Sequence, residues 1–170
     1  NVIAYRKYVC AEHADLGAVL ADFIAGLPGE RPRDAVVACA GYVIDGAVVH
    51  ANLPWPVRLD AVRRAAGLER LEVVNDFEAV AHATCQIDPA QTEALHAPDV
   101  AVDANRPVLV LGPGTGLGAA VVLQVGGRRT VIGTEAGQAG FAPGSGLELE
   151  VLRILRLRQP HVSVENLLSG

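Results

Sequence analysis

The chain has 170 residues, 51% of them hydrophobic, and a net charge of −5, enough for one domain or parts of two around a sizeable core. No apolar stretch approaches the roughly 18 residues needed to span a membrane. Lys and Arg are scattered rather than gathered into a basic stripe with interleaved aromatics, which argues against a nucleic-acid surface and for small-molecule partners. Cys10, Cys39 and Cys85 are odd in number and follow neither metal-ligand nor CxxC spacing, so a disulfide scaffold or zinc site is not expected and a reducing cytoplasm fits. No charged start with an apolar core and cleavage site is present. Methionine is absent, so Asn1 is not expected to be a translation start, and the sequence is read as cut, processed or partly observed.

Taken in order, residues 1–9 carry β-branched and aromatic side chains that suit a strand or its exit. Residues 15–27 place Leu16, Val19, Leu20, Phe23 and Ile24 at helical spacing, and Gly26 with the Pro28-Gly29 and Pro32 punctuation ends that helix. Residues 35–40 form a continuous apolar run of buried-strand length. Asp45-Gly46 then predicts a tight hairpin into a short strand over 47–51. Asn52 stands where that strand gives way to a proline-fixed loop around Trp55, the only tryptophan, and suits a turn-forming asparagine. Residues 59–68 read as a helix closed by Gly67. Residues 71–74 read as a buried strand running straight into Asn75-Asp76.

A helix is predicted after Asp76, from Phe77 through Ala83, so Asp76 lies at the carboxyl end of a strand and the amino end of a helix. Asp is a favoured N-cap, and that is one use of the residue. The other is a general base that accepts a proton from a substrate hydroxyl late in phosphoryl transfer, for which a raised pKa is not needed. His82, inside the helix, reads as a helix residue rather than a catalyst. Residues 87–106 are polar and irregular and read as a connection between two lobes.

Gly112-Pro113-Gly114-Thr115-Gly116-Leu117-Gly118 lies between the apolar runs 108–111 and 119–123. Glycines at alternating positions leave backbone N–H groups free to turn toward one anion, with no Cβ in the way and positive φ cheap. The second half of the loop fits the loose dinucleotide pattern GxGxxG/A, but that pattern needs a helix to follow. The run after it is valine-rich, of strand length, and ends in Gly126-Gly127. There is also no Lys-Ser or Lys-Thr pair for a Walker A loop. The expectation is therefore strand, loop, strand, which serves equally as a phosphate clasp or as a structural hairpin turn. Residues 131–140 form a second glycine-punctuated loop bearing Glu135 and Gln138, residues 147–157 an amphipathic helix, and 164–168 the start of another.

Together these segments resemble bacterial glucokinase, the ATP-dependent hexose kinase of the actin, Hsp70 and hexokinase superfamily. Residues 71–81, around Asn75-Asp76, resemble the family's catalytic segment, and Gly112 to Gly118 its second phosphate loop. Residues 133–143 resemble its sugar-contacting loop, and 161–170 a later signature. The resemblance covers nearly the whole chain and implies an α/β actin-like ATPase (ribonuclease H-like) fold in two partial lobes. A small lobe over 1–87 would carry the catalytic Asp, a connection would run over 88–102, and the first part of the large lobe over 103–170.

It implies phosphorylation of glucose or a related hexose at the 6-hydroxyl, with Asp76 as base. Asn75, Glu135, Gln138 and Glu165 would be sugar ligands, with Asn52 beside them. Gly112, Gly114, Thr115 and Gly116 would contact the phosphates of ATP. Mg²⁺ is implied with ATP, although no side-chain metal cage stands out, which suits that ion. The resemblance leaves room for a homodimer, but the sequence does not fix the oligomeric state.

Two departures carry weight. Where the family has Glu-Gly-Gly-His, this chain has Glu135-Ala136-Gly137-Gln138. A carboxamide replaces an imidazole that contacts sugar, so a kinase for another hexose or an amino sugar is an alternative reading. Nothing before Asn1 matches the family's opening Asp-x-Gly-Gly-Thr-Asn segment, and the adenosine-binding part is expected beyond Gly170. The 170 residues alone are therefore not expected to turn over ATP. A non-catalytic sugar-sensing relative is the third reading.

Overall fold

A computed structural model of the protein describes residues 2–49, 53–96, 103 and 105–170. Contacts within the chain divide it into two compact units, Asn1–Asp76 and Phe77–Gly170.

In the first unit, helix α1 (Leu16–Ala25) is capped by Asp15, whose side chain accepts a hydrogen bond from the Ala18 N–H at 2.8 Å. Helix α2 (Leu59–Ala66) ends at Gly67 in the left-handed region, φ 66°. The two helices meet closely at Gly17, where an added Cβ would stand 2.7 Å from the Ala65 Cβ. Strands β1 (Asp34–Cys39) and β5 (Arg70–Asn75) pair in parallel, from Asp34 opposite Arg70 to Cys39 opposite Asn75. Between them in sequence, β2 (Tyr42–Ile44), β3 (Ala47–Val49) and β4 (Val57–Arg58) form an antiparallel sheet in that order. The expected Asp45-Gly46 hairpin is present, with positive φ at both residues, 49° and 71°. That matches the twist of the strands it joins.

The core of this unit has two centres. Ile24, Ala66 and Leu68 form one, and Val48, Val57 and Val62 the other, with Leu20 and Leu71 packed against both. The start of the chain differs from expectation. It forms no strand among the described residues, and Val2 and Ile3 are 86% and 80% exposed. Without a ladder partner, its β-branched side chains gain nothing from extended pairing. The segment is tied down by side chains instead. The Tyr8 hydroxyl and the Arg6 guanidinium both donate to Asp22 of α1, and the Trp55 indole N–H donates to the carbonyls of Cys10 and His13.

In the second unit, β6 (Val108–Pro113), β7 (Leu117–Val125) and β8 (Arg128–Thr134) form an antiparallel meander. The β7–β8 turn needs Gly126 and Gly127, both at positive φ. Helix α3 (Asp76–Thr84) lays Ala81 on Ala120 and Val122, with Phe77, Cys85, Val110 and Val131 around them. Small residues on both sides let helix and sheet approach closely. The contact division therefore falls at the start of α3, upstream of the boundary near residue 87 expected for the lobes.

Residues 131–134 correct a second expectation. They belong to strand β8, with Gly133 opposite Ala120, and the loop begins only at Glu135. Helix α4 (Gly146–Arg156) opens with a reciprocal cap: Ser145 Oγ accepts from the Glu148 N–H, and Glu148 reaches back to the Gly144 N–H. A short helix α5 (Glu165–Leu168) follows. Among the described residues no helix is long and apolar enough to cross a membrane.

Candidate functional site

In the first unit, the parallel register puts the carboxyl ends of β1 and β5 side by side, and ligands of open α/β sheets collect at such ends. Cys39 closes β1 opposite Asn75, which closes β5, and Asp76 opens α3. Asn75 and Asp76 are half-buried. The Cys39 thiol is pushed up from its ordinary range, first by burial and then by the negative charge of Asp76. The Asp76 carboxylate and the thiol thus share one electrostatic environment. A cavity of about 450 Å³ in this unit is lined by Val48, Val49, Leu53, Pro54, Trp55 and Pro56. Among the described residues, none of the candidates lines it, and the side chains that do are apolar apart from the Trp55 indole. Asn52 lies outside the described residues.

In the second unit, the glycine loop is the strand, loop, strand that its sequence predicts. Gly112 faces Gly118 and Pro113 faces Leu117 across the ladder, leaving Gly114, Thr115 and Gly116 as the tip. The glycines do not serve positive φ, which the sequence offers as one use for them. None of the four is at positive φ. A Cβ on Gly112 or on Gly118 would run into the ring of Phe77, and one on Gly116 would stand 2.6 Å from Glu165 Oε2. Three of the four glycines therefore make room for side chains of this same unit.

Nor is the row of backbone donors unbroken. The Gly114 N–H bonds to the Gly116 carbonyl, the Leu117 N–H donates to Glu165 Oε2 at 2.7 Å, and the Gly170 N–H donates to the Gly114 carbonyl. An incoming anion is left with the tip around the exposed Thr115 and the half-buried Gly116.

The loop after β8 folds against this hairpin. Glu135 is exposed and leads into a single 3-10 turn, Ala136–Gln138. Gly137 is buried, and a Cβ there would strike the Leu117 carbonyl. The Gln138 carboxamide donates through Nε2 to Glu165 Oε1 at 2.8 Å. Residues on either side hold this pair together. Gly140 and Ser163 form an antiparallel bridge, flanked by bonds from the Phe141 N–H to Val162 and from the Val164 N–H to Ala139. The buried Ser163 donates through both N–H and Oγ to Asn166 Oδ1, which also accepts from Gln159. His161 Nε2 lies 3.0 Å from the Gln138 carbonyl, so that ring nitrogen carries the hydrogen.

Thus Gln138 and Glu165 converge on the glycine loop in the second unit, and Asn75, Asp76 and Cys39 form a separate group in the first. Sequence reasoning missed Cys39, Phe77, His161 and the Leu117 N–H. The last is a backbone group that no motif reports. Cys39 becomes visible only once the register of β1 on β5 is known. Among the described residues no group of three or more His, Cys, Asp or Glu is arranged to hold a metal ion.

Comparison with known proteins places these observations in a family. The chain is 43% identical over 168 residues to a glucokinase-like protein of Xylella fastidiosa, covering 97% of this chain and 48% of that protein. It is 38% identical over 160 residues to a glucokinase of Zymomonas mobilis, covering 94% and 49%. Its fold, an α/β fold as expected, is similar to that of a glucokinase from an Antarctic psychrotroph, with a TM-score of 0.76 and 32% identity over 96% of this chain and 50% of that one. It also resembles a Balamuthia mandrillaris glucokinase solved with glucose, with a TM-score of 0.69 at 20% identity over 95% and 49%. The chain spans about half the length of these relatives. The glucokinase family model matches residues 1–170, and the chain belongs to the glucokinase family.

Proposed function

We propose that the full-length protein containing this chain transfers the γ-phosphoryl group of ATP to the 6-hydroxyl of glucose. The observation that carries this reading is Asp76, half-buried where a parallel strand ends and a helix begins, in a chain of the glucokinase family. The Asp76 carboxylate accepts the hydroxyl proton as O6 attacks the γ-phosphorus. The bond to the β-phosphate oxygen breaks, and ADP leaves with that electron pair.

Asn75, Glu135 and Glu165 bind the sugar's hydroxyls, because acceptor and donor groups facing a polyol reject partners that leave them unpaired. Gly112, Gly114, Thr115 and Gly116 face the phosphates, with the N–H groups of Thr115 and Gly116 as the donors at the tip. The described residues supply no side-chain cage for Mg²⁺, which would enter with the phosphates of ATP.

In the same reading residues 1–87 belong to the small lobe and 103–170 to the large one, joined through 88–102. Lobe closure would exclude water, so that the sugar hydroxyl is the only nucleophile in line. A cytoplasmic setting and a homodimer complete the proposal. The engagement of Gln138 with Glu165 favours one second reading, a kinase for a different hexose or an amino sugar.

The deciding experiment measures ADP release by the full-length gene product with Mg-ATP and glucose, mannose, fructose or N-acetylglucosamine, with Asp76→Asn as control. Glucose-preferring turnover that disappears in the control supports the proposal. Turnover on another sugar favours the second reading. No turnover on any sugar overturns both and points to a sugar-sensing relative.

A further inference from the structure

We infer that Gln138 is a positioning residue for the glycine loop, acting through Glu165, and that this joint makes phosphate binding depend on the sugar side. The inference rests on the reading above, in which Glu165 faces sugar and the loop faces phosphate.

A carboxylate only accepts hydrogen bonds, so the Gln138 amide has one useful orientation, Nε2 toward Glu165 Oε1. The other Glu165 oxygen, Oε2, accepts from the Leu117 N–H at 2.7 Å. Both bonds are assisted by charge and are stronger than neutral ones. The Leu117 N–H is thereby held by Glu165, and the Leu117 carbonyl lies against the buried Gly137 of the turn that carries Gln138, close enough to leave no room for a Cβ there. Gly116 admits the carboxylate only because it has no Cβ.

On the other limb of the loop, the Gly170 N–H holds the Gly114 carbonyl at 2.8 Å. Thr115 and Gly116 thus hang between two anchors, and both come from the stretch 165–170. Glu165 has lone pairs beyond these two bonds. A sugar hydroxyl that donates to them holds the carboxylate in the geometry that fixes Leu117, so bound sugar orders the loop that receives phosphate. Gln138, read from sequence as a sugar ligand, is on this account the residue that aims one. His161 supports it in turn, by fixing the Gln138 carbonyl.

The test uses the full-length protein in two arms. Without ligand, Gln138→Leu is expected to speed amide hydrogen exchange at Leu117 about tenfold, while Val121 and Val122 of the same strand keep their rates. A general packing defect would accelerate all three. In the second arm, saturating glucose is expected to tighten a non-hydrolysable ATP analogue by at least about fivefold in the native protein, and by no more than about twofold in Gln138→Leu. Gln138→His, which can still donate to Glu165, is expected to restore both effects. Unchanged exchange at Leu117, or full coupling in Gln138→Leu, overturns the inference. If the native protein binds no sugar, the kinase reading fails along with the coupling, while the exchange arm still decides whether Gln138 positions the loop.

Discussion

The ring of Phe77 occupies the space where a Cβ on Gly118 would stand. Gly118 faces Gly112 across the ladder, and the ring closes over both, so the residue after Asp76 is seated on the two ends of the glycine loop. Gly118→Ala therefore forces the ring or the strand to move. We expect it to lower stability by about 1–3 kcal/mol, the usual cost of overpacking. Phe77→Ala lowers it through the cavity it leaves. The double variant is expected to lose less than the sum, because the new methyl fills part of the space the ring has vacated. Urea unfolding of the four proteins measures this, and strict additivity would contradict the packing.

Much of this arrangement was legible in the sequence, because its signals are local. The hairpin at Asp45-Gly46, the termination of α2 at Gly67 and the strand after the glycine loop each follow from residues adjacent in the chain. What composition left open was purpose. The alternating glycines announce close approach, but they do not say whether a ligand or a neighbouring side chain approaches. Phe77 lies 35 residues before Gly112, and Glu165 lies 49 after Gly116, so neither partner falls within any local pattern. Residues 131–134 misled for a related reason. Gly133 looks like loop punctuation, yet inside β8 it pairs with Ala120.

The head of the parallel pair β1–β5 gives an acid-dependent prediction. Arg70 forks onto Asp34, Nε to Oδ1 at 2.9 Å and Nη2 to Oδ2 at 2.6 Å. The hydrogen bonding from Arg70 is the chief cause holding the Asp34 carboxyl below its usual range. A carboxyl lowered in the folded state binds fewer protons there than in the unfolded chain. Its stabilisation is thus full above the ordinary aspartate range and is lost as pH falls through the lowered value. Both side chains are exposed, so the effect is small. Asp34→Asn is expected to lower the unfolding midpoint slightly at pH 7 and by less at a pH below the ordinary aspartate range. An equal change at both pH values would show that the pair contributes nothing through charge.

Cys39 reports directly on Asp76. The thiol is held up by burial and by that carboxylate, so at neutral pH it is mostly protonated and alkylates slowly. Asp76→Asn removes the second cause, so the thiol ionises at lower pH and the alkylation profile moves down. Cys10 and Cys85 are also free, so the rate is read at Cys39 by mass spectrometry, with the other two as internal references. A Cys39 profile that stays in place in Asp76→Asn would mean that the two groups do not share an environment in solution.

Gln138→His probes the most telling departure in the site. The carboxamide already uses one N–H on Glu165, so the second N–H of that same nitrogen and the accepting carbonyl oxygen are what remain to meet a sugar hydroxyl. An imidazole has two ring nitrogens in different directions, so one can donate to Glu165 while the other meets the sugar. A restored polar contact to one substrate is worth about tenfold in kcat/KM where the alternative leaves a hydroxyl unpaired. We therefore expect Gln138→His to raise kcat/KM for glucose by about that factor, chiefly through a lower KM, and to raise it less for mannose or N-acetylglucosamine. Steady-state kinetics on the sugar panel decide the matter. Glucose kinetics identical to those of the native protein would remove position 138 from the list of residues that set sugar preference.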